Sequence, residues 1–192
     1  SMRKMRMNIP LDYTLEFFEN LFQEKVLSQG VQQAVIRFMV YREQRGSLLS
    51  KSGISYFFDF VERSILDINP SIEMDLIKEI SVNTNLLSNL QVHCPENIYA
   101  EIYARENDLD DVILLNPGKR IARSIFGNLL FLEGDTIKIP KTTEGAYISP
   151  LMENIVTFVH KNRLAEIRES EIIAFESQKA DEILMISDEK GI

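Results

Sequence analysis

The sequence predicts a mixed α and β chain in two lobes, of the α+β or α/β class. Two strand-like runs flank a turn signal within the first 62 residues, and strand-like and helix-like segments alternate after residue 95. The third observation is composition. The 192 residues are 45% hydrophobic and 26% charged, as in an ordinary globular chain, and suffice for one large domain or two small ones.

Residues 14–28 place Leu15, Phe18, Leu21, Phe22 and Val26 on one helical stripe, with Thr14 as the cap. Residues 33–42 are β-branched and aromatic and read as a strand. Gln44, Arg45 and Gly46 read as a turn, and residues 54–62 as a second strand pairing with the first. Asn69, Pro70 and Ser71 break the pattern, and residues 77–84 are a third strand candidate. Residues 85–95 lack periodicity and read as a linker. Pro95 then opens a helix, with Glu96 in its first turn and Ile98, Tyr99 and Ile102 facing the core; Asn107 and Asp108 end it. Residues 110–116 form a continuous apolar strand, and residues 128–139 a hairpin turning at Glu133, Gly134 and Asp135. Residues 150–161 read as a helix with Pro150 at its start, 164–172 as a strand and turn, and 180–187 as a last buried strand.

Charge and composition exclude several functions. The formal net charge of −8 argues against nucleic-acid partners, which need clustered Lys and Arg, and against an anionic membrane surface. No apolar run approaches the ~18 residues of a membrane span, and the basic N-terminus has no apolar segment of the secretory kind after it. Cys94 is the single cysteine, so no internal disulfide forms, and it reads as a small core residue. The chain is expected to be cytoplasmic. His93 and His160 carry little weight, and no metal-ligand spacing occurs.

Several stretches together resemble one family. These are DDVILLN at 110–116, RIARSIFGNLLFLEGDTIKIP at 120–140, EGAYISPLMENIVTF at 144–158 and KADEILMISDEKGI at 179–192, with IRFMVYREQRG at 36–46 similar to an arginine strand and glycine turn. In this order and spacing they resemble the class IV aminotransferases, the fold-type IV group of pyridoxal phosphate (PLP) enzymes. That group includes branched-chain aminotransferases, D-amino acid transaminases and aminodeoxychorismate lyases. The resemblance implies a small N-terminal α/β lobe over 1–84, a linker over 85–95, and a C-terminal pseudo-barrel lobe over 96–192, with PLP between the lobes. It also implies a homodimer acting on an amino acid. The family's opening strand and helix would precede Ser1, and the family continues past Ile192. Asn128 matches the family's asparagine before the hairpin, and Ile137–Pro140 resembles its Thr-Pro turn.

The same resemblance exposes four departures. PLP chemistry needs an amine that forms an imine and then shuttles a proton. There is no lysine between Lys78 and Lys119, and aligning both flanks leaves a one-residue gap between Leu90 and Gln91, where the family's lysine belongs. Either that lysine is lost, or a cofactor-modified lysine is omitted from the sequence as written. Second, the family's glutamate that protonates the pyridine nitrogen is matched by Arg123. An arginine stays charged and only donates, which weakens the electron sink; otherwise Arg123 reads as a surface or ion-paired residue. Third, the phosphate turn becomes Ser149-Pro150, where Pro150 removes a main-chain donor and Ser149 either compensates or simply caps the helix. Fourth, Ser187 stands at the last phosphate contact but is followed by Asp188 and Glu189, which repel a phosphate.

By position, then, Arg123, Ser149 and Ser187 are the candidate cofactor-binding residues. No catalytic lysine and no metal ligands are named. The resemblance implies a PLP-dependent aminotransferase or aminodeoxychorismate-lyase-like enzyme. The departures open two alternatives: a non-catalytic pseudoenzyme or dimeric binding module, and a small-molecule binder using the cleft without PLP.

Overall fold

The structure, a computed structural model, describes residues 2–43, 53–64, 68, 71–88, 90 and 94–192. The turn expected at 44–46, the break at 69–70, His93 and the position following Leu90 lie outside the described residues. The chain forms two compact units, Ser1–Ile65 and Leu66–Ile192.

In the first unit, helix α1 (Leu15–Lys25) is capped by Thr14, whose hydroxyl accepts from Phe17 N at 3.2 Å. Strands β1 (Ala34–Arg42) and β2 (Ile54–Glu62) pair antiparallel with Phe38 opposite Phe58. Strand side chains alternate faces, so Ile36, Phe38 and Val40 share one face with Tyr56, Phe58 and Phe60. Rings of α1 join that face: Phe18 meets Phe38 edge-on at 5.1 Å, and Phe22 lies 6.2 Å from Phe58. Of the expected helical stripe, Leu21 and Val26 are buried, whereas Leu15 in the first turn is exposed.

The second unit holds two sheets. Strand β3 (Met74–Ile77) runs parallel to β4 (Asp111–Leu115), and β5 (Ile121–Ser124) runs antiparallel to β4. The other sheet has the order β8-β7-β6-β9, from β6 (Asn128–Glu133), β7 (Thr136–Pro140), β8 (Glu166–Ser170) and β9 (Glu182–Ile186). Helix α2 (Pro95–Glu106) precedes β4, and α3 (Pro150–Asn162) links β7 to its parallel neighbour β8.

Strand β4 is buried along its whole length because both faces are covered. Val112 and Leu114 pack with Ala100 and Ala104 of α2, while Ile113 and Leu115 pack with Leu129 and Phe131 of β6. On the far face of β6, Leu130 packs with Ile139 and with Met152 of α3.

Two expectations are corrected. The third strand spans Met74–Ile77 rather than 77–84, because the parallel register with β4 ends at Ile77 opposite Leu114. That pairing also ties 74–77 to the unit that begins at Leu66. Helix α2 docks through Ala100 and Ala104, while Ile98, Tyr99 and Ile102 are exposed. The small residues let the helix approach β4 closely, and that contact sets the buried face.

Candidate functional site

The candidate residues of the second unit gather around the connection from β5 to β6. Gly127 opens β6 because nothing larger fits: a Cβ there would lie 2.6 Å from the Ile186 carbonyl oxygen of β9. The preceding turn is closed by Ser124, whose hydroxyl accepts from Gly127 N at 2.9 Å. Asp111, fully buried at the start of β4, fastens the same turn. Its carboxylate accepts from Val112 N (2.7 Å), Ile125 N (2.9 Å) and Phe126 N (3.3 Å). Burial pushes the Asp111 carboxyl above its ordinary value, and the hydrogen bonds from Ile125 and Val112 oppose that push.

Arg123 ends up inside the unit, and no ion pair holds it among the described residues. It is 7% exposed. Its Nη1 donates to the Ser124 carbonyl at 2.9 Å, and its Nη2 donates to Asn97 Oδ1 at 2.7 Å and approaches Cys94 Sγ at 4.0 Å. The alternative reading of Arg123 as a surface or ion-paired side chain therefore does not describe this geometry. Cys94, expected as a small core residue, is half-buried and unpaired at the N-cap of α2. Tyr147 is half-buried in the same region. Burial raises its hydroxyl pKa, the Arg123 charge lowers it, and Asp188, Glu189 and Asp111 raise it.

Ser149 and Ser187 adjoin this cluster through Asn128. Asn128 pairs with Ile186, next to Ser187, and its side chain donates to the Tyr147 carbonyl and accepts from Ser149 N at 3.2 Å. The Ser149 hydroxyl caps α3, accepting from Met152 N at 3.2 Å with Pro150 in the first helical turn. Ser187 is fully buried. Its hydroxyl donates to the Phe126 carbonyl at 2.9 Å and accepts from Glu189 N at 3.1 Å and Lys190 N at 3.0 Å. Its one hydrogen is thus committed to the backbone.

Asn97, Asp111 and Tyr147 are residues that sequence reasoning missed. Only Asp111 left a signal, as a carboxylate opening an apolar run. A second polar cluster lies behind the β4–β5 turn. Arg120 Nε pairs with buried Glu144, which also accepts from Asn116 Nδ2 at 2.6 Å. The Arg120 hydrogen bond, followed by that from Asn116, holds the Glu144 carboxyl below its ordinary value against the opposing effect of burial. Glu144 also anchors the 142–145 turn through the bond from Asn116 to its backbone carbonyl at 3.2 Å. Among the described residues no His, Cys, Asp and Glu group could hold a metal ion, and no helix is long and apolar enough to cross a membrane.

The family model for amino-transferase class IV matches residues 1–192. The chain belongs to that family. No curated protein matches its sequence. Among solved structures it is similar to a protein of Legionella pneumophila described as a 4-amino-4-deoxychorismate lyase (TM-score 0.84, 18% identity, 99% of this chain and 70% of that one). It is also similar to a branched-chain aminotransferase of the archaeon Thermoproteus uzoniensis, solved with norvaline (0.81, 18% identity, 100% and 65%). A third likeness is to the PLP form of a branched-chain amino acid aminotransferase from Thermobaculum terrenum (0.80, 14% identity, 100% and 64%). At these identities the likeness is one of fold, and the fold is that of the fold-type IV enzymes. The chain spans 64–70% of the length of these three structures.

The family's cofactor can be tested against the residues present. A PLP ring would meet Arg123 where the family resemblance places a glutamate, and a guanidinium cannot accept a proton from or share one with the ring nitrogen. Ser187 has no hydrogen left for a phosphate, and Pro150 offers no N–H. A guanidinium in that place donates and does not accept, so Arg123 does not fit a PLP ring kept protonated at its nitrogen.

Proposed function

We propose that this class IV aminotransferase-family chain is a divergent PLP-dependent aminotransferase or aminodeoxychorismate-lyase-like enzyme acting on an amino acid. The observation behind this reading is the family match over residues 1–192. In this proposal Arg123, buried and tied to Asn97 at 2.7 Å, faces the cofactor at the position where the resemblance calls for a carboxylate, with Ser149 and Ser187 on its phosphate side. The protein works as a cytoplasmic homodimer without nucleic-acid or membrane partners.

A second reading, a non-catalytic pseudoenzyme or dimeric binding module of the same fold, has in its favour that the sequence as written carries no lysine between Lys78 and Lys119. Absorbance spectroscopy separates the two. The purified protein, incubated with PLP and dialysed, is expected to show an internal-aldimine band that borohydride removes, with the matching mass increment. A colourless protein that takes up no PLP would overturn the enzyme reading. Sedimentation at micromolar concentration tests the homodimer, and a monomer would count against it.

A further inference from the structure

Arg123 stands where the resemblance asks for a carboxylate at the ring nitrogen of PLP, and the other carboxylates of the second unit are committed elsewhere. Among the described residues, Asp111 and Glu144 are the buried ones. Asp111 is taken up by the N–H groups of Val112, Ile125 and Phe126. Glu144 is held by Arg120 and by Asn116 at 2.6 Å. Glu96 accepts from Asn83 at 3.3 Å. The partners of Arg123 are instead the Ser124 carbonyl, Asn97 Oδ1 and, at 4.0 Å, Cys94 Sγ. The disagreement with the family's cofactor chemistry is therefore not repaired by a second acid.

The guanidinium is fixed from two sides. Nη1 donates to the Ser124 carbonyl at 2.9 Å and Nη2 to Asn97 Oδ1 at 2.7 Å. An arginine has five N–H groups and no acceptor, and it stays charged. A protonated pyridine beside it would bring two cations together at a buried position, whereas an unprotonated nitrogen can accept from the N–H groups that Asn97 and Ser124 leave over. We infer that PLP at this site is held with its ring nitrogen unprotonated, accepting from Arg123, and that Asn97 is the positioning residue that fixes the guanidinium for it. The inference rests on the enzyme reading above. A neutral ring draws less electron density from a substrate, so the site is matched to reactions that leave little charge on the ring.

The test is spectroscopic. The full chain is loaded with PLP carrying ¹⁵N in the ring, and loading is established first by absorbance and intact mass. The ¹⁵N resonance is then followed with pH across the range in which the protein stays folded. In the wild type it is expected at the unprotonated position throughout. Arg123→Glu should move it to the protonated position. Asn97→Asp is nearly isosteric and places a negative charge on the guanidinium. It should raise the pH at which the ring nitrogen takes up a proton, a shift that a merely structural role would not produce. The Asn97→Asp arm carries the comparison if Arg123→Glu fails to fold. A protonated resonance in the wild type overturns the inference, and a resonance unmoved in Asn97→Asp removes Asn97 from the positioning role. A chain that takes up no PLP fails at the loading step, which overturns the enzyme reading and this inference with it.

Discussion

The side-chain oxygen of Asn97 receives the Arg123 guanidinium at 2.7 Å, joining the first turn of α2 to the end of β5. The guanidinium can donate at this position and cannot accept, and in the proposed reading that sets the chemistry available to a ligand there. The scaffold around it is held by the β4–β5 pairing and by Asn128, which ties β6 to the turn into α3.

Asn97→Ala removes the oxygen and leaves a buried charged donor without its shortest partner. Bonds to charged groups contribute about 1.5–3 kcal/mol, and a loss of stability of that size is expected in urea denaturation. A variant as stable as the wild type would mean that the guanidinium finds another acceptor, and the positioning argument would fail.

Gly127→Ala tests how tightly β6 is held against β9. The added Cβ would lie 2.6 Å from Ile186 O and 2.9 Å from Met185 Cγ. The carbonyl belongs to a paired strand and cannot swing aside without breaking the Asn128–Ile186 register. A cost of about 1–3 kcal/mol is expected, as for other overpacked positions, seen as a lower denaturant midpoint with an unchanged m-value. A neutral substitution would show that the two strands have room to separate.

Much of the fold was legible in the sequence, and the misses share a cause. Thr14 as a cap, the β1–β2 pairing, the hairpin turning at Gly134 and Pro150 at the head of α3 are local signals, and the structure places each where expected. β5 went unread because Ile121–Ser124 is only four residues with an arginine inside it, and its strand identity comes from pairing with β4. Ile98, Tyr99 and Ile102 misled for a related reason: periodicity says that a helix has a face, while Ala100 and Ala104 decide which face fits against β4. At the site, alignment could place Arg123, Ser149 and Ser187 by position. It could not show that Ser187's hydrogen goes to Phe126 or that Arg123 reaches Asn97 and Cys94, because those depend on partners 26 to 61 residues away.

Glu144 should give an acid-side stability step. Its folded pKa lies below the ordinary value, chiefly through the Arg120 hydrogen bond. The stabilisation is therefore present above the unfolded value, about 4.3 for glutamate, and is lost as pH falls through the lower folded value. The stability of the wild type minus that of Glu144→Gln is expected to be largest near neutrality and to shrink on acidification. A difference that stays constant down to the acid transition would remove Glu144 from the account of acid stability.

Asp111 should act in the opposite sense. Burial raises its folded pKa, so the folded state holds the proton more tightly than the unfolded chain does. Its contribution is fully present below the unfolded value, about 3.9 for aspartate, and is lost as pH rises through the higher folded value. The ionised carboxylate is retained because three backbone donors, Val112 N, Ile125 N and Phe126 N, depend on it. Two substitutions separate charge from hydrogen bonding. Asp111→Ala orphans all three donors, each costing about 1–3 kcal/mol when buried and unsatisfied, so it should cost about 3 kcal/mol or more on the acid side and less as pH rises. Asp111→Asn keeps an acceptor for Val112 and Ile125 and removes the charge, so wild-type stability relative to this variant should fall as pH rises from about 4. Urea melts of the three proteins across that range provide the check. A wild-type advantage over Asp111→Asn that grows with pH would show that the carboxylate is stabilised by its N–H cage more than it is penalised by burial, reversing the sign argued for this residue.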